Sequence, residues 1–274
     1  MKQLLKMALL ATTVSFAAGS LAHAQNECAA GKTLEEGVLT IATGNPAYFP
    51  WVMNDAPEAG EGFEAAVALE VARRMGFEGD AVKWVRTSFD QAIQPGEKNF
   101  DFNLQQYSIT EEREKFVDFS QPYYVAAQSV VVRQPTIDAG AKPTVESLKG
   151  LIWGAAEGTT APQLIEKLVG DVTIRLYGDV ADSLEAMKAN QIDAVLVDLP
   201  SALFVTAVQL DDGVILGQFD ESEDAPTALG LLFSEGNPLR ECADNALTAM
   251  KDDGKLAEIE TEWLQVATGA PVIK

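Results

Sequence analysis

The chain has 274 residues, with 20 Lys and Arg against 41 Asp and Glu, a formal net charge of −21 and one histidine. So acidic a surface disfavours nucleic acid and anionic membrane as partners. The one histidine, His23, falls in an apparent N-terminal leader. Its loss would exclude Ser-His-Asp and Cys-His nucleophilic machinery and histidine metal sites, and two cysteines are too few for a zinc cluster.

Residues 1–24 read as a secretory signal peptide. Lys2 and Lys6 come first, Met7 through Ala18 run apolar, and Ala22, His23 and Ala24 form the small-residue pattern before Gln25. The apolar stretch is too short to span a bilayer and no second one follows, so the mature chain is not expected to span a membrane. Removing the leader takes the net charge to −23, as two lysines and no carboxylate leave. Export would put Cys28 and Cys242 in an oxidising compartment, where one disulfide between them is expected. Lipidation of Cys28 is the rival reading, but Asn26 and Glu27 before it lack the small-residue context that such processing uses. The mature length, about 250 residues, permits two lobes of ordinary domain size.

Val38 to Thr43 is a β-rich run ending at Gly44, Asn45 and Pro46, so it reads as a strand and a loop. After Gly62, the stretch FEAAVALEVARRM places Phe63, Val67, Val71 and Met75 four apart before Gly76, which predicts an amphipathic helix. VKWVR then reads as a strand, and strand, helix, strand implies a parallel βαβ unit. NFDFNLQQ and QIDAVLVD each follow a helical segment and set an Asp before a strand-like run. Asp101 and Asp193 lie 92 residues apart, about one lobe, so the echo means either two similarly wound lobes or chance likeness. Two further runs, Ala126 to Arg133 and Thr227 to Phe233, read as connectors crossing between lobes or as ordinary strands of one large sheet.

The chemistry gathers at three places. In LQQYSITEER, Thr110 is a candidate N-cap for a short helix from Glu111, with Arg113 at its third position. Helix-start N–H groups, the Ser108 hydroxyl and a guanidinium make a carboxylate site, although an Arg among carboxylates is commonly a surface ion pair with Glu112 or Asp118. LIWGAA runs into Gly158, Thr159 and Thr160 and a helical segment, a second anion-receptive helix start without the lysine of a nucleotide P-loop. Asp198 ends the apolar strand from Ala194, where parallel sheets bind ligands, or it caps the next helix. A carboxylate grip with an ammonium acceptor describes a zwitterionic α-amino acid.

NPAYFPW, GFEAAVALEVARRMG, SITEEREKFVDFSQPYY, the Gly-Thr-Thr turn and QIDAVLVD, in this order and spacing, resemble the periplasmic polar-amino-acid-binding proteins of ABC importers, the family 3 solute-binding proteins. The resemblance covers essentially the whole mature chain. It implies an α/β type II periplasmic-binding fold of two lobes, each a mixed, mainly parallel sheet flanked by helices, joined by two crossover strands. Lobe 1 would be residues 25–127 and 230–274, and lobe 2 residues 128–229. It implies that Arg113, Ser108 and the backbone of Thr160 and Ala161 hold the ligand carboxylate, and that Asp198 and Ser108 hold the ammonium. Tyr48 and Phe89 would sandwich the side chain and Asn45 would reach its distal end. Where binders of basic amino acids carry Asp, this chain has Asn45. Gln105 and Gln106 replace small residues, adding amide groups that narrow the pocket.

The resemblance thus implies a monomeric periplasmic receptor that closes on a polar L-amino acid and delivers it to an inner-membrane ABC permease, with no cofactor and no metal. With Asn45 and Gln105 at its far end, the pocket is expected to prefer a neutral polar side chain over lysine, arginine or histidine. Other uses of the fold are a dehydratase acting on prephenate or arogenate, with Asp198 or Glu157 moving the proton, and a sensor for a signalling receptor.

Overall fold

The computed structural model describes residues 28–219, 228–264 and 271–273. The expected signal peptide, residues 1–24, lies outside them, as does Thr227. Twelve strands form two five-stranded sheets and a two-stranded ribbon among the described residues. The first sheet has the order β2-β1-β3-β12-β4, built from Leu39–Thr43 (β1), Val82–Arg86 (β2), Phe102–Asn103 (β3), Val117–Phe119 (β4) and Leu232–Ser234 (β12). The second has the order β10-β6-β9-β7-β8, built from Gln128–Arg133 (β6), Ile152–Ala156 (β7), Thr173–Tyr177 (β8), Ala194–Asp198 (β9) and Gly213–Gln218 (β10). Between them Tyr124–Val125 (β5) pairs antiparallel with Ala228–Leu229 (β11).

The two sheets have one topology. β1 pairs parallel with β2 and β3, and β12 pairs antiparallel with β3 and β4. Likewise β7 pairs parallel with β8 and β9, and β6 pairs antiparallel with β9 and β10. The echo at Asp101 and Asp193 has a structural cause. Asp101 Oδ2 accepts the Thr40 N–H at 2.6 Å, while its own N–H donates to the Thr40 carbonyl at 2.7 Å. Asp193 Oδ2 accepts the Ile152 N–H at 2.8 Å, and its N–H donates to the Ile152 carbonyl at 2.7 Å. Each Asp clasps the start of the central parallel strand of its sheet.

Alternation along the strands builds the layers. Leu39 and Ile41 pack on the helix-covered face of the first sheet and Ala42 on the other, while Val130 and Val132 face one layer and Val131 the opposite one. The predicted helix is Phe63–Arg74, with Met75 as its C-cap. Phe63, Val67 and Val71 are wholly buried against Leu247 and Met250 of helix Arg240–Asp252 and Ile259 of helix Lys255–Leu264. Burying each such side chain contributes about 1.5–3 kcal/mol. Cys28 and Cys242 are joined by a disulfide at this core. No helix among the described residues is long and apolar enough to cross a membrane.

The two runs left open by the sequence turn out to adjoin the crossings and to supply strands as well. In the run from Ala126, Gln128–Arg133 is the second strand of its sheet, and the crossing is made by Tyr124–Val125 just before it. Of the later run, Ala228–Leu229 crosses and Leu232–Ser234 joins the first sheet. A continuous apolar run has the same appearance in either role, so its pattern could not separate them. The C-terminal Pro271–Ile273 departs from the expected partition, which gave residues 230–274 to lobe 1. The Gln218 N–H donates to the Pro271 carbonyl and the Ile273 N–H to the Gln218 carbonyl, both at 2.9 Å, and Ile273 is buried in the second lobe.

Candidate functional site

The lobes are closed on each other around a cavity of about 290 Å³. Phe49 and Phe204 meet across it with ring centroids 5.3 Å apart. Gly158, in the left-handed region at φ +72°, lies so close to Asp90 that a Cβ would stand 1.9 Å from Oδ1. All the residues proposed from the sequence for ligand contact line this cavity: Asn45, Tyr48, Phe89, Gln105, Ser108, Arg113, Thr160, Ala161 and Asp198.

Arg113 is only 8 % exposed. It begins a single 3-10 turn, Arg113–Lys115, instead of sitting inside a helix from Glu111. Thr110 still serves the turn, its Oγ1 accepting the Arg113 N–H at 3.2 Å. The short turn leaves the guanidinium, not a helix N-terminus, as the source of positive potential. Nη1 donates to the Ser108 carbonyl at 2.8 Å and Nη2 to the Gly158 carbonyl of the other lobe at 3.0 Å. The group lies over the Phe89 ring at 5.3 Å, and Phe89 packs on Tyr107. No carboxylate of the described residues is within 4 Å, so the expected alternative of a pair with Glu112 or Asp118 is not formed. Burial draws its pKa down to about 10.

Ser108 is held by the crossover ribbon, through a bridge to Leu229 and the Ile109 N–H donating to the Ala228 carbonyl at 2.9 Å. Across the cleft, helix Ala161–Leu168 starts at Thr160, whose hydroxyl makes no cap bond. The Thr159 hydroxyl accepts the Ala161 N–H at 3.4 Å.

Asp198 does both things its sequence position suggested. It lines the cavity, and it caps helix Leu199–Phe204, with Oδ1 accepting the Ser201 N–H at 2.8 Å and Oδ2 the Ser201 hydroxyl at 2.9 Å. Burial pushes its carboxyl up to about 6, against the pull of those two donors.

Sequence reasoning missed Glu64. It is 1 % exposed, lines the cavity, and accepts from the Tyr123 hydroxyl, the Gln106 N–H at 2.8 Å and the Gln106 side-chain amide. Burial raises its carboxyl to about 7; these donors pull it down and the Asp198 charge raises it further. Gln106, at φ +52°, is thereby turned onto Glu64. Gln105 accepts the Tyr107 hydroxyl at 2.9 Å, which leaves its NH2 group as the available donor. Trp51 and Ser201 were missed too. The only signal for Glu64 was its place in the first turn after Gly62, where an acid is favourable in any helix.

Tyr48 is 36 % exposed at the rim, and its hydroxyl pKa is raised by burial and then by Asp179, Asp55 and Asp182. Glu157 and Asp179 also line the cavity. Arg86 and Lys83 do not line it: Arg86 is paired with Asp55 at 2.6 Å and Lys83 with Glu35 at 2.7 Å.

A two-lobed cavity lined by a buried arginine and by carboxylates agrees with what the sequence matches. The model of the bacterial extracellular solute-binding proteins, family 3, matches residues 39–266. The chain belongs to this family. It is 27 % identical over 248 residues to the L-cystine-binding protein TcyJ of Escherichia coli (strain K12), covering 89 % of this chain and 87 % of the relative. It is 27 % identical over 223 residues to the ABC transporter glutamine-binding protein GlnH of Bacillus subtilis (strain 168), covering 76 % and 75 %. An ancestral arginine-binding protein bound to glutamine superposes with a TM-score of 0.68 at 28 % identity, covering 85 % of this chain and all of that one. The family's type II periplasmic-binding fold is therefore the fold of this chain.

Proposed function

We propose that this family member is a periplasmic receptor that encloses a polar L-amino acid between its lobes and hands it to an ABC permease. The observation that carries this is Arg113, buried at the cavity with no carboxylate of the described residues within 4 Å, in a cavity that Asp198 and Glu64 also line. A desolvated guanidinium suits a ligand carboxylate, which it can grip with two parallel hydrogen bonds. Ser108 and the backbone of Thr160 and Ala161 complete that grip. Asp198, with Ser108, takes the ammonium. Tyr48, Phe89, Asn45 and Gln105 then face the side chain. Contacts from both lobes to one ligand supply the free energy that favours closure.

The expected preference for a neutral side chain rests on Asn45 and Gln105. Glu157 and Asp179 add negative charge to the lining and weaken the case against a cationic side chain, whereas among the described residues no cation besides Arg113 lines the cavity. The ligand class we propose is accordingly a polar, non-acidic L-amino acid. A thermal-shift screen of all twenty amino acids tests it: stabilisation by glutamine or a basic amino acid is expected, and glutamate or aspartate outranking both would overturn the class. Binding without turnover is the expected behaviour, so incubation with prephenate and arogenate should release no aromatic product.

A further inference from the structure

A hydrogen-bonded chain crosses the cleft beside the carboxylate read as the ammonium acceptor. The Trp51 indole N–H, from lobe 1, donates to the Ser201 hydroxyl of lobe 2 at 2.9 Å, and that hydroxyl donates to Asp198 Oδ2 at 2.9 Å. The direction is forced, because an indole N–H can only donate. The Ser201 oxygen must accept from Trp51, and its one proton is left for Asp198. The Ser201 N–H fixes the other carboxylate oxygen at 2.8 Å.

The indole itself has little freedom. Its ring meets Phe63 and Tyr124 edge-on at 5.8 and 5.9 Å, and the Trp51 carbonyl accepts the N–H groups of Glu64 and Ala65. Gly62, at φ +103°, lets the chain pass so close that a Cβ there would stand 2.6 Å from the Trp51 carbonyl oxygen. Trp51 is thus part of the lobe 1 framework, and Ser201 and Asp198 ride on the other lobe. Opening the cleft removes the donor that fixes the Ser201 hydroxyl.

We propose that Ser201 is a positioning residue which, by accepting from Trp51 only in the closed form, orients Asp198 for the ligand ammonium at closure. This rests on the reading that Asp198 holds the ammonium. The lobes then close most tightly on a ligand that carries an amino group, since an oriented Asp198 is of use only to such a ligand.

The test is calorimetric titration of the full mature chain with two probes: the amino acid most stabilising in the twenty-member screen, and its 2-hydroxy acid, which lacks the ammonium. Trp51→Phe and Ser201→Ala are each expected to weaken the amino acid about tenfold and the hydroxy acid less than twofold, with Ser201→Thr close to wild type. Asp198→Asn separates the two levels of the argument. If it weakens both probes equally, or if no amino acid binds the wild type, the reading of Asp198 falls and this inference with it. If it is selective for the amino acid while Trp51→Phe and Ser201→Ala weaken both probes alike, Asp198 stands and the positioning role of Ser201 is overturned. Should Trp51→Phe fail to fold, the pair Ser201→Ala and Ser201→Thr decides alone.

Discussion

Arg113 binds both lobes at once, through the Ser108 carbonyl on its own side at 2.8 Å and the Gly158 carbonyl on the other at 3.0 Å. A ligand carboxylate at this guanidinium would sit beside the seam between the lobes, so grip and closure share one side chain. Arg113→Ala is expected to weaken amino-acid binding by at least a hundredfold, the loss of roughly 3–5 kcal/mol that follows when a desolvated charge loses its partner. Arg113→Lys should recover little, because an ammonium lacks the planar fork that reaches two carbonyls and a carboxylate together. Calorimetric titration placing Arg113→Ala within a few-fold of wild type would remove Arg113 from the site.

Asp198→Ala should be as damaging to binding as Arg113→Ala, at roughly 3–5 kcal/mol, since the ammonium would be enclosed without its counter-charge. The same change also removes the cap of helix Leu199–Phe204, so the unfolding midpoint without amino acid should fall as well. Affinity close to wild type in Asp198→Ala would reassign the ammonium to Glu64.

The largest upward carboxyl shifts, at Glu64 and Asp198, shape the pH dependence, and burial raises Asp101 in the same direction. Glu64 stands near 7 and Asp198 near 6 in the folded chain, both above their ordinary values. The folded state therefore keeps protons that the unfolded chain has already released. Stability without amino acid should fall as pH rises from about 4 to about 7 and then level, with Glu64 contributing about 3 kcal/mol of the change. Glu64→Gln should flatten most of that slope in thermal unfolding. An ammonium docking on Asp198 favours its charged form, so binding near pH 6 should release protons, read as a binding enthalpy that varies with the ionisation enthalpy of the buffer.

The disulfide spans 214 residues of sequence. Closing so long a loop limits the unfolded chain, and Cys28→Ser with Cys242→Ser should lower stability by about 2–5 kcal/mol. Ligand affinity should be unchanged, because the pair belongs to the lobe 1 core and does not line the cavity. Two free thiols in the mass of the non-reduced exported protein would defeat the pairing.

Asp101 and Asp193 offer a matched comparison. Asp101 is 1 % exposed and accepts from both Leu34 and Thr40, whereas Asp193 is half-buried. Asp101→Ala leaves the buried Thr40 N–H unpaired and should cost about 1–3 kcal/mol, with Asp193→Ala costing less. Equal loss in chemical denaturation would mean that burial does not set the strength of this clasp.

The residues that could be read from the sequence are those whose signal is local. Phe63, Val67 and Val71 declare a helix by spacing, Asp101 and Asp193 mark strand starts at equivalent places, and Arg113 and Asp198 stand out as charges beside apolar strands. What could not be read depends on pairs far apart in the chain. Trp51 meets Ser201, Arg113 meets Gly158 and Phe49 meets Phe204 only after two lobes have folded and closed. Glu64 was hidden for another reason: at the start of an amphipathic helix a carboxylate reads as ordinary helix chemistry, and only the packing of Tyr123 and Gln106 around it shows otherwise.

The short C-terminal pairing of Pro271–Ile273 with Gln218 places the last described residues on lobe 2, while Cys28, the first, is bonded into lobe 1. Labels attached beside Cys28 and beside Ile273 would ride on different halves of the molecule. A fluorescent donor at one of these places and an acceptor at the other would change separation as the cleft shuts, so amino-acid capture could be followed in real time without a label in the pocket.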